Sequence, residues 1–212
     1  MAHVNNPDGL YPAGSAKPSP QKEQPAGAEV SETSADLLTE KQALDAVEKL
    51  AHYLRQQRAH YYPLGQSLDH KNKTFLARFF DTSLLGQVKI VKMNGDRVPN
   101  PLFFETAKRR GFKNVPDLKH QATVTFLDVI VFNEQFTERS LFHGLVHATQ
   151  VQLLGIERFA ELFLRGFLRS KSYFMVPLKA HAFALDCQFA EHRERGFSVE
   201  TEVTRWLEQG RY

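Results

Sequence analysis

An α+β fold, mostly helical with a small sheet, is what the sequence predicts, on three observations. Several stretches repeat apolar residues at helical spacing. One run, Thr123 to Phe132, concentrates β-branched and aromatic residues. A weaker strand candidate, Gln87 to Met93, is the only other extended-looking segment.

The chain of 212 residues, 42% apolar and with 17 Phe, is long enough for one domain plus a tail. Residues 1–36 are rich in Pro, Gly, Ala and Ser and almost lack aliphatic side chains, so they are expected to form a disordered leader. Residues 37–212 are then expected to form a single domain. The formal charge is +3, with both signs interspersed, and Lys108-Arg109-Arg110 is too short a run to serve as a nucleic-acid footprint. Cys187 is the single cysteine, which rules out an intramolecular disulfide and cysteine-rich zinc ribbons. The first residues lack the basic start and apolar core of a secretory signal, and no stretch has the length and apolarity of a membrane span. A soluble cytoplasmic protein without nucleic-acid or membrane partners is the expectation.

Thr39 and Gln42 form a capping-box pattern ahead of Leu44, Val47, Leu50, Ala51 and Leu54, which predicts a helix to about Arg58. A short helical or turn segment follows from Phe75, then the strand at Gln87 to Met93 and a turn at Asn94-Gly95-Asp96. After Pro99 and Pro101, a helix around Phe103 to Arg110 is expected to end at Gly111. Thr123 to Phe132 reads as one strand. It leads into a helix that starts at Thr137 or Glu138 and closes at Gly155. Ile156, Phe159, Ala160, Phe163, Leu164, Phe167 and Leu168 mark a second amphipathic helix, whose phenylalanines are read as core. Pro177 suits the first turn of a helix from about Leu178 to His192, and a last helix is expected over Val199 to Leu207.

His143 and His147, four residues apart, project from one helix face close enough to grip one ion. Their neighbours Leu141, Phe142, Leu145 and Val146 imply that this helix is partly buried, and buried imidazoles need partners. The segment Phe142-His143-Gly144-Leu145-Val146-His147-Ala148-Thr149-Gln150 resembles the HExxH helix of zincin-like, gluzincin-type metallopeptidases, as a degenerate member with HGLVH in place of HExxH. Pro177-Leu178-Lys179-Ala180-His181-Ala182-Phe183 looks like the later helix that supplies the third ligand in that family, and His181 falls on the ligand position, with His192, Asp186, Lys179 or an upstream histidine as the alternatives to face the site in its place. The resemblance covers roughly residues 123–192. It implies a zincin-like fold with a small sheet beside the metal helix, a strand flanking a peptide cleft, and a divalent ion on His143, His147 and His181.

Two departures shape the expected chemistry. Gly144 stands where the family carries the glutamate that activates water, so ordinary peptidase activity is not expected. It also leaves room beside the metal for a different substrate. His181 replaces the usual Glu, giving a three-histidine set suited to zinc and also to iron, copper or nickel. None of Glu134, Glu138, Glu157, Asp186 and Glu191 occupies a position where the family pattern puts a base, and the catalytic residue stays unassigned. Gln150 and Asp186 are candidates to orient the ligating rings from behind. Cys187 reads as a small buried residue, and Tyr173 as packing, surface or a donor across the cleft. The expectation is a metal-dependent enzyme acting on a small-molecule or peptide-like substrate by Lewis-acid or oxygen chemistry. The alternative is an inactive metallopeptidase relative serving as a binding or regulatory module.

Overall fold

The computed structural model describes residues 38–212; the expected leader over 1–36 lies outside them. Helix α1 (Glu40–Tyr61) begins at the anticipated capping box, with Thr39 Oγ1 accepting from Gln42 N–H and Gln42 Oε1 accepting from Thr39 N–H. It runs one turn longer than expected and stops as Pro63 enters a 3₁₀ turn. The ambiguous region that follows resolves into β1 (Gln66–Ser67), α2 (His70–Leu76) and α3 (Thr82–Gln87), the two helices capped by Asp69 and Asp81. Strand β2 (Lys89–Lys92) and α4 (Leu102–Arg109) come next, within a residue or two of their expected places.

The run Thr123 to Phe132 is a hairpin rather than one strand: β3 (Thr123–Phe126) and β4 (Val129–Phe132) pair antiparallel across Leu127-Asp128. No Gly or Asn announces this turn, and Leu127 itself adopts the left-handed conformation at φ +59°. The sheet order is β1-β2-β4-β3, with β2 and β4 parallel, so β4 is central and β3 is an edge. Four helices complete the fold: α5 (Glu138–Leu154), α6 (Ile156–Ser170), α7 (Pro177–Glu191) and α8 (Val199–Glu208). Gly155, at φ +73°, ends α5 and starts α6.

The alternation of strand residues splits the core into two apolar layers. Ile90, Ile130 and Phe132 pack with Leu141, Phe142 and Leu145 of α5 and with α7 and α8. Val91, Val129 and Val131 pack with α1 and α6. The fold is therefore α+β and mostly helical with a four-stranded mixed sheet. Among the described residues no helix is long and apolar enough to cross a membrane.

Helices α5 and α7 lie antiparallel. Arg139 Nε bonds Asp186 Oδ1 at 2.8 Å near one end, Phe142 stacks on Phe189 with centroids 4.2 Å apart, and Gln150 Nε2 donates to the Leu178 carbonyl at 3.0 Å near the other. Between these contacts the histidine face of α5 meets α7.

Candidate functional site

His143 and His147 occupy one face of α5 as their spacing requires, with ring centroids 4.9 Å apart. Gln150 fixes the second ring. Its amide nitrogen is committed to Leu178, so its oxygen must accept, and the His147 Nδ1 within 2.8 Å must carry the proton. The Nε2 of His147 is left as an acceptor. Gln150 thus stands behind a histidine ring as expected. Asp186 does not: its side chain is paired with Arg139 instead of an imidazole.

His181 does not line the cavity that His143 and His147 line, although its charge still acts on His147. Its ring stacks on Trp206 of α8 at 4.6 Å between centroids and 5° between planes. The buried residues of α7 include Leu178, Lys179, Ala182, Leu185, Asp186 and Phe189, a stripe of helical period that faces the core. At about 100° per residue, position 181 stands some 200° round the helix from position 179. Lys179, not His181, therefore joins His143 and His147 in lining one cavity. Among the described residues no three His, Cys, Asp or Glu side chains converge closely enough to hold an ion. An ammonium beside two imidazoles is also the wrong chemistry for a cation site, so the three-histidine set expected from the sequence does not fit this pocket.

Lys179 is 5% exposed and makes no ion pair among the described residues. Its Nζ donates to Tyr173 Oη at 3.1 Å and sits 4.3 Å from the Tyr173 ring centroid. Burial without a counter-charge pulls its pKa down to about 8. The same burial holds His143 down at about 4, with the Lys179 charge adding to the effect. His147 is pushed well below its ordinary range by burial, and by the charges of His143 and Lys179. Desolvation raises the Tyr173 hydroxyl. All three of Lys179, His143 and His147 share a dry environment, and at neutral pH its positive charge belongs to the lysine.

Gly144 gives no room to a substrate. A Cβ at this position would lie 2.7 Å from Ile130 Cγ2 and 3.1 Å from its Cδ1, so the glycine is where α5 closes onto β4. Thr125 Oγ1 donates to the Gly144 carbonyl at 3.1 Å and ties the helix to β3 as well. The volume anticipated beside the histidines is filled by isoleucine.

The cavity, about 250 Å³, opens between α1 and the α5–α7 pair, with β3 along it. Phe126 pairs with Val129 across a two-residue turn, and Asn133 N–H donates to the Ala122 carbonyl at 3.0 Å. This register puts Ala122, Val124 and Phe126 on the side bonded to β4. The N–H and C=O groups of Thr123 and Thr125 consequently point outward from the edge, into the cleft. Phe159 and Phe163, read from the sequence as core, wall the cavity, whereas Phe167 packs away from it. Tyr173 also lines it. Cys187 is exposed rather than buried, with its Sγ 3.8 Å from Arg139 Nη2.

Lys179 was one of the alternatives to His181 that the sequence left open. Helical period does not choose between them, because 179 stands three residues before Ala182 while 181 stands three after Leu178 and four before Leu185, so each flanks the stripe of Leu178, Ala182, Leu185 and Phe189.

Compared with family models, curated proteins and solved structures, the chain matches none.

Proposed function

We propose that the chain is a catalytically inactive relative of the zincin-like metallopeptidases, acting as a binding module whose cleft takes an extended peptide along β3. The carrying observation is the buried ammonium of Lys179 beside His143 and His147, in the cavity onto which the free edge of β3 opens. A resident cation there opposes a second one. It also suits a ligand that brings negative charge.

Two features support a role without peptide hydrolysis. The position expected to supply the general base is a glycine packed on Ile130, and a general base contributes about 10²–10⁴-fold. Among the described residues no acidic side chain substitutes, because Asp186, the carboxylate lining the cavity, is engaged by Arg139. The outward N–H and C=O groups of Thr123 and Thr125 suit strand addition, in which main-chain bonds give affinity and pockets for alternate side chains give selectivity.

Thr123→Pro tests the groove directly. Proline at an outward-facing position removes a donor from the free edge and leaves the β3–β4 ladder intact. Full-length protein and variant are compared by fluorescence anisotropy against a pool of N-terminally labelled octapeptides rich in apolar residues. Binding by the parent chain, weakened at least about tenfold in the variant while its melting temperature stays within a few degrees, is expected. Equal binding by both would remove β3 from the reading. Stoichiometric zinc, iron or copper raising the melting temperature at pH 7 would instead return the metal-dependent enzyme expected from the sequence.

A further inference from the structure

We propose that the group this cleft recognises is the C-terminal carboxylate of the bound peptide, held by Lys179 Nζ with Tyr173 Oη and the His143 ring beside it. The inference rests on the reading of the cleft as a peptide groove and adds which end of the ligand enters and what chemistry receives it.

Three observations converge on a carboxylate. First, Lys179 is a buried cation with no anionic partner among the described residues, an arrangement that is costly for the empty protein and is relieved by an incoming anion. Among the described residues the only hydrogen-bond partner of its ammonium is the neutral Tyr173 hydroxyl. Asp186, two turns along α7, faces the same cavity but has its charge met by Arg139 at 2.8 Å. Second, hydrogen-bonding capacity is left over. Tyr173 Oη, approached by Lys179 Nζ as donor, keeps its own proton free to give, and the neutral His143 ring, whose buried Nδ1 has no partner among the described residues, donates to an anion in the tautomer that protonates that nitrogen. Third, the walls around these polar atoms are apolar, including Leu54, Phe159, Phe163 and Phe183. A ligand that brings a charge on an apolar body matches this distribution.

A chain terminus fits better than an acidic side chain within a longer peptide. The ammonium lies under the rings of Tyr173 and Phe183, 4.3 and 5.5 Å from their centroids. An internal segment would have to pass in and out of this recess with its peptide groups unpaired, whereas a terminus enters once. A space of about 250 Å³ accepts one terminal residue with an apolar side chain, and the residues before it continue along the outward edge of β3.

The test uses the full chain and three pools of N-terminally fluorescein-labelled octapeptides, randomised over Leu, Ile, Val and Phe at the penultimate position and, in the first two pools, at the last position as well. One pool ends in a free carboxylate, the second in a carboxamide, and the third in a glutamate with its α-carboxyl amidated. The free-acid pool is expected to bind roughly thirtyfold or more tighter than the carboxamide pool, the scale of one desolvated charge pair. Lys179→Met should erase that preference, and Lys179→Arg should keep part of it. Melting curves verify that both variants fold. If free-acid and carboxamide pools bind the parent chain equally, the carboxylate anchor is wrong although the groove reading survives. A preference that persists in Lys179→Met also overturns the anchor. If the glutamate–amide pool matches the free-acid pool, the terminus is not what is read. Failure of every pool to bind overturns the groove and the anchor together.

Discussion

Replacing Lys179 by Met gives the most direct measure of the charge buried in the cleft. Methionine keeps the length and apolar stem of the side chain and removes the ammonium. In the folded protein burial lowers the Lys179 pKa from its ordinary 10.5 to about 8. At about 1.4 kcal/mol for each tenfold change in proton affinity, that separation amounts to about 3 kcal/mol. The sign follows from proton counting. Below pH 8 the folded and unfolded chains both hold the proton, and the folded one bears the full cost of burying it. Between 8 and 10.5 the unfolded chain binds more protons than the folded one, so stability rises with pH. By pH 10 most of the cost, about 2–3 kcal/mol, is gone. Met lacks this titration. At pH 7 the variant should therefore be the more stable protein, by about 1–2 kcal/mol once the lost Tyr173 hydrogen bond is deducted. Urea unfolding of both proteins at pH 7 and pH 10 reads the difference, and other titrating groups cancel in it. The advantage of the variant should disappear by pH 10. A difference that stays constant between the two pH values would show that the Lys179 charge is compensated, and the reasoning about an unpartnered cation would fail.

Three further outcomes are expected. Gly144→Ala gains about 1 kcal/mol of helix propensity but meets Ile130 at 2.7 Å, at an overpacking cost of about 1–3 kcal/mol, so it should lose stability on balance. Urea unfolding of the double variant with Ile130→Ala should show a loss smaller than the sum of the two single losses. His143 and His181 both titrate at about 4 instead of 6.5 because burial disfavours their charged forms, so the unfolded chain takes up protons the folded one refuses, and melting temperature should fall as pH drops from 6.5 towards 4. His143→Gln should flatten that slope, and an unchanged slope would place the titration elsewhere. Arg139→Ala strands the Asp186 carboxylate, whose side chain is 6% exposed, and should cost about 1–3 kcal/mol by thermal or urea unfolding. Adding Asp186→Asn should recover part of that loss.

Elements whose ends are decided by neighbouring residues were readable in the sequence. Thr39 with Gln42 starts α1, Thr137 starts α5 and Gly155 ends it, because caps satisfy backbone groups only a few residues away. The apolar stripe of α6 was legible for the same reason. The hairpin within Thr123 to Phe132 was not. Its left-handed turn position is Leu127, which carries none of the usual turn chemistry, and pairing with β4 imposes that conformation on a leucine. The placement of His181 was not legible, because positions 179 and 181 both flank the apolar stripe of α7 and only packing against α5 and α8 decides which of them enters the cleft.

By itself the sequence determined α1, β2, α4 to α8 and the paired histidines of α5, since all of these follow from interactions between residues a few positions apart. Tertiary structure alone decided that Ile130 fills the space at Gly144, that Gln150 reaches Leu178 to set the His147 proton, that Arg139 occupies Asp186, and that Lys179 enters the cleft. The reason is physical. Those contacts join residues 14 to 47 positions apart, and each exists only once β4, α5 and α7 have packed against one another, when burial converts a lysine from a solvated charge into the polar centre of an apolar pocket.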